Sequence, residues 1–347
     1  MCPRNPGRAA PEARPVAARR LMRMASSGVT IVDIAQALGV SKTAVSSALH
    51  GRGRVSEETR QRVLAQAERM GYVSNRAAQR LRGGRHGAIG LHLPADLREL
   101  AFYMEFAFGV ADAAALAGVD LLLRTAHTGG AARPQIDGLL IVDPTPATFG
   151  GAVAGLGDVP VVAVGEYRGP ERERIAAWIA ADHRGLAGEV LDALADTGAS
   201  RPALAAIESD REPFWASQVV AGYEDWCAKR GVTPEIRRVS VTPNDGEIAA
   251  ALEAVAAGGC DGLLWVAQGI VPHALALQAQ GVAANVRMGA MATELGPPRV
   301  VGVDLRPREY GRAAAELLLR VLAGGGGEQL GHDAVIVRPE AATPRLT

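Results

Sequence analysis

The chain has 347 residues, enough for two or three domains, and 48% of them are hydrophobic, which is sufficient for a sizeable core. It contains no signal peptide and no apolar run near the roughly 18–20 residues that span a bilayer, so we expect a cytoplasmic protein without a membrane partner. Cys2, Cys227 and Cys260 are scattered, which excludes a disulfide framework or a zinc site of ordinary spacing.

The formal net charge of zero conceals an uneven distribution. Residues 1–87 hold 16 Lys and Arg against 5 Asp and Glu, whereas the remainder holds 21 against 32. A basic amino-terminal part on an acidic body is typical of a phosphate-binding module joined to a domain that does not touch nucleic acid.

Residues 1–28 are rich in Pro, Ala and Arg and lack apolar periodicity. This composition predicts a disordered tail. Two interpretations stay open: the true start codon is Met22 or Met24, or the tail is a basic arm that adds nonspecific affinity for nucleic acid.

The first predicted helix follows Thr30. Asp33 lies three residues after Thr30, and this Thr-x-x-Asp spacing lets side-chain oxygens bind the first free backbone N–H groups of a helix. Gly39 then ends the helix after about two turns, because glycine adopts the left-handed conformation of a C-cap.

Two more helices complete a domain predicted over residues 29–73. Ser41 can cap a short helix from Lys42 to Leu49, and Ser56 starts a third helix that ends at Gly71. Two short helices joined by a glycine turn and braced by a third are typical of a helix-turn-helix domain.

The second of these helices has one polar face, formed by Lys42, Thr43, Ser46, Ser47 and His50. Short hydrogen-bond donors on one outward face suit the major groove of DNA and do not suit a protein core. An ordinary three-helix bundle without a nucleic-acid role is the alternative.

The stretch from Val29 to Leu81 contains a series of short motifs at fixed spacing: Val29-Thr30, Asp33-Ile34-Ala35, Gly39-Val40-Ser41, Thr43-Ala44-Val45-Ser46, the run from Val55 to Arg60, Gly71-Tyr72, the run from Asn75 to Ala78, and Leu81. With these motifs the stretch resembles the DNA-binding headpiece of the LacI family of bacterial transcription regulators. The resemblance implies a sequence-specific transcriptional regulator, in the usual case a repressor, that binds double-stranded operator DNA as a homodimer.

The resemblance also assigns DNA contacts. Base contacts are expected from Lys42, Thr43 and Ser47. Phosphate contacts are expected from Thr30, Ser41, Ser46, His50, Thr59 and Asn75. Relatives commonly carry Arg at the position of Ser47 and Asn at that of His50, so Lys42 becomes the main cationic reader.

Residues 74–86 are predicted to form a hinge helix and linker. A helix of two turns that ends at Gly83-Gly84 is marginal alone in water. The resemblance implies that it folds on operator DNA, where Leu81 wedges a base step in the minor groove. The alternative is a core leucine, which the neighbouring Arg80 and Arg82 make less favourable.

In residues 87–347 apolar runs alternate with alanine-rich helical stretches, which predicts two Rossmann-like lobes with parallel sheets. The predicted strands are 88–94, 119–125, 137–143, 159–165, an edge strand at 175–179, 202–208, 236–241, 261–267 and 286–291. The resemblance implies the periplasmic-binding-protein-like architecture, in which this region binds a small-molecule effector between the lobes and forms the dimer.

The chain is expected to return across the lobes at its end. A strand at 300–304 and a helix at 307–322 are predicted in the first lobe, and a strand at 334–338 in the second. Only 11 residues separate Arg124 from Ile136, so the second helix of the first lobe is expected to be shortened or lost.

Candidate effector-binding residues are Tyr103, Asp182, Trp215 and Gln268. Asp182 has an alternative role as the N-cap of the helix that starts near Gly185.

Polar groups with which sugar-binding relatives hold their ligands are absent. Val219 stands where such relatives carry Arg, Ala267-Gln268 where they carry Asn-Asp, and Met291 where they carry Asp. A simple sugar is therefore disfavoured. The alternatives are a less polar metabolite or a degenerate pocket that binds nothing.

No catalytic motif, phosphate-binding loop or metal-spaced cluster is present in the sequence. We expect a protein that is not an enzyme and needs no cofactor or metal. A periplasmic solute-binding protein shares the two-lobed body, but it has a signal peptide and no headpiece.

Overall fold

A computed structural model describes residues 29–50, 55–72, 86–93, 101–124, 134–208, 212–294 and 296–340. The chain divides into two compact units, residues 1–79 and residues 80–347. No helix within the described ranges is long and apolar enough to cross a membrane.

Three helices form the first unit: α1 (Ile31–Leu38), α2 (Lys42–His50) and α3 (Glu57–Arg69). Thr30 and Asp33 form a capping box at the start of α1, and Gly39 ends it with φ of 65°. Both features follow the sequence prediction, because each depends on residues within one helical turn. Ile34, Val45 and Val63, one from each helix, are fully buried in a shared core.

The second unit contains two six-stranded sheets. The strands are β1 (Ala88–His92), β2 (Asp120–Arg124), β3 (Gly138–Val142), β4 (Val161–Val164), β5 (Ile175–Ala181), β6 (Pro202–Ile207), β7 (Ile236–Val239), β8 (Gly262–Trp265), β9 (Arg287–Ala290), β10 (Val301–Asp304), β11 (Gln329–His332) and β12 (Val335–Val337). The first sheet has the order β11-β5-β4-β3-β1-β2 and is parallel throughout. The second has the order β12-β10-β9-β8-β6-β7, with β12 antiparallel to β10.

Helices cover these sheets. They are α4 (Ala101–Leu116), α5 (Phe149–Val153), α6 (His183–Asp196), α7 (Phe214–Arg230), α8 (Asp245–Ala257), α9 (Val271–Ala279) and α10 (Pro307–Leu322), with a 3-10 turn at Arg172–Arg174. Helices α4 and α10 pack together on the first lobe, and α6 and α7 on the second. This is the two-lobed, periplasmic-binding-protein-like arrangement that the sequence predicts.

Helices α4 and α10 cross at backbone distance. A Cβ atom added to Gly109 of α4 would overlap the carbonyl oxygen of Arg308, and one added to Gly311 of α10 would overlap the carbonyl oxygen of Phe106. Glycine at both positions lets two helix backbones touch, so this crossing fixes how the first lobe packs.

The chain passes between the two lobes at three places in the described part of the second unit. It leaves the first lobe at Asp182, returns through Leu305 and Arg306, and leaves again at Asp333. Two of these segments are bonded together, because the Arg306 guanidinium donates to the Asp333 carbonyl at 2.6 Å, and the imidazole Nε2 of His332 lies 2.7 Å from the Leu305 carbonyl. Arg306 adopts a left-handed conformation with φ of 44°.

Two predictions about the sheets were wrong. Strand β5 lies inside the first sheet, and the edge belongs to β11, which was not predicted because it has no run of apolar residues. Strand β10 belongs to the second sheet, where it pairs with β9 and β12. Helix α5 was not predicted, since five residues are too few for a periodic signal. The predicted loss of a helix after β2 falls on residues largely outside the described ranges.

Candidate functional site

The exposed face of α2 carries the predicted base-reading side chains. Val45 and Ala48 face the core of the first unit and are buried. Lys42 and Thr43 are exposed on the opposite side, and Ser47 is half-buried beside them. The predicted polar face therefore exists as a solvent-facing surface of a helix whose inner face is fixed by packing.

The predicted phosphate-binding hydroxyls already have local partners. The Thr30 hydroxyl donates to the Asp33 carboxylate at 2.7 Å, and this bond holds the pKa of Asp33 below its ordinary value. The Ser41 hydroxyl accepts from the backbone N–H of Ala44 at 3.1 Å, which caps α2. Thr59 shares a 2.9 Å hydrogen bond with the Ser56 hydroxyl. Helix capping accounts for these residue types without DNA, so a phosphate contact must use their remaining hydrogen-bond capacity.

The remaining predicted DNA contacts are less fully described. Ser46 is half-buried on α2. The side chain of His50, and the whole of Asn75 and Leu81, lie outside the described part of the chain.

A cavity lies between the lobes of the second unit, at the carboxyl ends of strands from both sheets. It has a volume of about 20 Å³ in this arrangement of the lobes. Its lining residues are Phe102, Val142, Asp143, Val164, Gly165, His183, Trp215, Val266, Gln268, Met291, Ala292, Leu305 and Tyr310. Ligands of parallel α/β sheets bind at this position.

Two of the four candidate effector residues, Trp215 and Gln268, line this cavity. Tyr103 is fully buried behind the wall. Asp182 caps α6 instead, because its carboxylate accepts from the backbone N–H of Gly185 at 3.0 Å, and it does not line the cavity. The alternative role predicted for Asp182 is the one the geometry shows.

Asp143 is the residue that sequence reasoning missed. It follows β3 with a positive φ of 47° and faces the cavity. Its carboxylate accepts a 2.7 Å hydrogen bond from the Tyr103 hydroxyl and another from Trp215. Burial raises the pKa of Asp143 to about 6, although both hydrogen bonds act in the opposite direction. Burial of the ionised carboxylate in the cavity wall therefore lowers the folding stability of the ligand-free protein.

The contact between Asp143 and Trp215 crosses the cleft, because Asp143 belongs to the first lobe and Trp215 to α7 of the second. A second crossing contact places the Arg168 guanidinium 4.1 Å from the Phe214 ring centre. These two contacts join the lobes across the cleft.

His183 lies on the second-lobe side of the cavity. Its ring centre is 5.2 Å from that of Trp215. Burial lowers its pKa to about 4, against the attraction of Asp182, so the imidazole is neutral near pH 7. Its Nδ1 atom and the Oε1 atom of Gln268 are buried without hydrogen-bond partners within the described part of the chain.

Tyr310 closes the cavity from α10. Its ring stacks on His332 at 3.9 Å between ring centres, and its hydroxyl donates to the Ile179 carbonyl at 3.3 Å. Burial lowers the pKa of His332. Tyr310 therefore presents an aromatic surface, with its polar end already bonded.

An adjoining cavity of about 190 Å³ shares four lining residues with the first. The shared residues are Phe102, Gln268, Ala292 and Leu305. It adds Thr293, Glu294 and Asp304 to the polar lining. Glu294 is partly buried, which raises its pKa, and its Oε1 atom has no partner among the described residues.

Three of the four positions where sugar-binding relatives carry polar groups hold buried apolar side chains in this fold. Val219 is fully buried in the core of the second lobe, and Met291 lines the cavity with its thioether. Ala267 is buried beside Gln268.

The first unit thus has the design of a helix-turn-helix DNA-binding domain, and the second has the periplasmic-binding-protein-like fold with a cavity between its lobes. A family model described as "Bacterial regulatory proteins, lacI family" matches residues 30–75. The maltose regulon regulatory protein MalI of Escherichia coli (strain K12) is 46% identical over 87 residues, 24% of this chain and 24% of that protein. Residues 30–75 are therefore similar to the amino-terminal domain of LacI-family bacterial regulatory proteins.

Solved structures match over more of the chain. The lac repressor dimer bound to operator and the anti-inducer ONPF aligns with a TM-score of 0.70 and 20% identity, covering 90% of this chain and 98% of that one. The complex of the transcriptional regulator CelR with cellobiose aligns with a TM-score of 0.60 and 21% identity, covering 89% and 98%. At this identity the likeness establishes the fold. In sequence, the chain matches about a quarter of the length of the first curated relatives.

Proposed function

We propose that this protein is a sequence-specific DNA-binding transcriptional regulator, in the usual case a repressor, whose affinity for operator DNA is modulated by a small molecule in the interlobe cavity. The observation that carries the proposal is the polar solvent face of α2, set on a buried core within the region that the family model matches. As a regulator of chromosomal DNA it would act in the cytoplasm, at the nucleoid.

In this proposal α2 enters the major groove. Lys42 supplies the main cationic base contact, with Thr43 and Ser47 beside it. Thr30, Ser41, Ser46, His50 and Thr59 contact phosphates, and Asn75 and Leu81 act in the hinge. The short side chain at Ser47 supports the expectation that the half-site differs from those read by relatives with Arg there.

A homodimer is supported by an exposed apolar surface on the first lobe. Met104, Phe108 and Leu116 on α4, and Leu122 and Leu123 on the edge strand β2, are each exposed by 44% or more. A patch of this kind on neighbouring elements is typical of a protein interface. Two copies joined there by a two-fold axis would present two headpieces to a palindromic operator.

Regulation follows as a linkage between the cavity and the DNA surface. An effector that binds one arrangement of the lobes more tightly shifts the population toward it, and by reciprocity operator DNA changes the effector affinity by the same factor. Such coupling typically amounts to about 1–3 kcal/mol, or a 5- to 150-fold change in affinity.

The test is DNase footprinting of the full chain on the DNA upstream of its own gene, with a shuffled sequence of the same composition as the control. We expect two protected half-sites related by a two-fold axis, and a change in protection when a cell extract rich in small metabolites is added. Equal affinity for the shuffled sequence would contradict sequence-specific regulation.

A further inference from the structure

The lining of the two adjoining cavities carries charge of one sign. Asp143 faces the interlobe cavity, and Glu294 and Asp304 line its neighbour. None of the described residues that line either cavity is Lys or Arg. His183 is the basic side chain in this lining, and its imidazole is neutral near pH 7. The site is therefore acidic.

Asp143 has no ionic partner among the described residues. Arg299 acts electrostatically on Glu294 in the adjoining cavity. The Arg306 guanidinium is turned away, toward the carbonyl of Asp333. The groups that bond to the Asp143 carboxylate, a tyrosine hydroxyl and a tryptophan side chain, are neutral. A partly buried carboxylate is stabilised by an opposite charge, which a ligand can supply.

The unpartnered polar atoms of the lining also favour a ligand rich in donors. Gln268 Oε1 and Glu294 Oε1 can only accept hydrogen bonds, and both are buried without a partner in the described part of the chain. The Nδ1 atom of neutral His183 is also buried without a partner in the described part of the chain, and it accepts a hydrogen bond when the proton is on Nε2. A bound group with several N–H donors would satisfy these atoms.

The rest of the cavity wall is aromatic and apolar. Phe102, Trp215 and Tyr310 line it, together with Met291. Aromatic faces attract ammonium groups through the negative charge of the ring face, most strongly when water is excluded. The side chain of Met291 lines the cavity at a position where sugar-binding relatives carry Asp, so one polar group that those relatives use is replaced by a thioether.

From these observations we propose that the interlobe cavity selects a compact ligand with a protonated amine on a flat or apolar frame. The ammonium group donates to the Asp143 carboxylate and to Gln268 Oε1, and the frame lies against Trp215 and Phe102. This inference deepens the proposed function, on which it rests, by naming the chemical class of the effector.

The test uses isothermal titration calorimetry on the full chain with pairs of probes that differ mainly in charge. Benzylamine is compared with benzyl alcohol, and cyclohexylamine with cyclohexanol. Benzoate serves as the anionic control and cellobiose as the polyol control. We expect at least one amine to bind at least about tenfold more tightly than its alcohol, and neither control to bind more tightly than that amine.

Two variants locate the interaction. Asp143→Asn should weaken the binding of the amine by about tenfold and leave the affinity for the alcohol unchanged, because the substitution removes a charge and changes the volume little. Asp158→Asn makes the same change at an exposed loop outside both cavities and should leave both affinities unchanged. Gln268→Leu removes the second acceptor and should weaken the binding of the amine. This variant tests the proposal if Asp143→Asn does not fold.

Three results would overturn the inference: no amine binds, the alcohols bind as tightly as the amines, or benzoate or cellobiose binds best. Gel-shift titrations of the same preparations on the upstream DNA separate this failure from failure of the proposed function. Intact operator binding without amine binding refutes the ligand class alone. Loss of sequence-specific DNA binding refutes the proposed function, whatever the calorimetry gives.

Discussion

Replacing Asp143 by Asn should stabilise the protein at neutral pH and not in acid. The folded pKa of Asp143 is about 6, against an ordinary value of 3.8. Between these values the folded state holds a proton that the unfolded state has released, so the stability of the natural protein falls as the pH rises from about 4 to 6. The amide side chain of the variant cannot ionise, so the variant escapes this loss.

The size of the effect follows from the two pKa values. A difference of about two units corresponds to about 3 kcal/mol of unfolding free energy, which is an upper value because the carboxylate is partly open to solvent. Near pH 4 the natural carboxyl is protonated and has the same shape and similar hydrogen-bonding groups as the amide. The advantage of the variant should therefore be near zero at pH 4 and approach its maximum above pH 7.

The measurement is urea unfolding of the full chain at several pH values, followed by tryptophan fluorescence. This signal reports the second unit, which contains all four tryptophans: Trp178, Trp215, Trp226 and Trp265. His183 and His332 also have shifted pKa values, but they are present in both proteins and cancel in the difference. A stability difference that stays constant between pH 4 and pH 8 would refute the reasoning.

Three further results are expected. Lys42→Ala should cost about 1–3 kcal/mol of binding free energy at the cognate operator in a gel-shift titration, and equal losses on random DNA would contradict its role as a base reader. Gly109→Ala should destabilise the second unit by about 1–3 kcal/mol, because its Cβ meets the backbone of α10. The same change at Gly188, where α6 has open space, should stabilise the second unit by up to about 1 kcal/mol. If urea unfolding shows that both variants change the unfolding free energy in the same direction, the close crossing of α4 and α10 is refuted. Phe108→Glu or Leu122→Glu should yield monomers in sedimentation velocity, and persistence of dimers would place the interface elsewhere.

The three-helix unit was predictable because its signals are local. The Thr30–Asp33 capping box, the left-handed turn at Gly39 and the N-cap at Ser56 each depend on residues within four positions of one another. Such pairs act in almost any surrounding structure, so the sequence alone determines the helix ends.

The order of the strands was harder to predict because pairing is not local. Strand β5 has the alternating burial that an edge strand can also show, and its neighbour β11 comes about 150 residues later. Strand β10 pairs with β9 in the second sheet although the helix that follows it packs on the first lobe. Apolar periodicity identifies a strand and does not say which strand it joins.

The cavity shows what local patterns can and cannot reveal. Asp143 ends the run DGLLIVD, and a carboxylate at the end of a buried strand was a usable signal for a residue at the ligand-binding edge of the sheet. Its hydrogen bond with Tyr103 and its contact across the cleft with Trp215 join three distant segments. These contacts can be identified only from the folded structure, because the sequence does not show which distant segments meet.

Because the chain passes three times between the lobes, neither lobe can complete its folding as soon as its first residues are synthesised. The first lobe needs α10 and the edge strand β11, which come after strands β6 to β10 of the second lobe in the sequence. During translation, the first sheet can be completed only after about 150 further residues beyond Ala181 have been synthesised. Neither lobe corresponds to one continuous stretch of the gene, so a division at Asp182 would separate the first lobe from part of its own core.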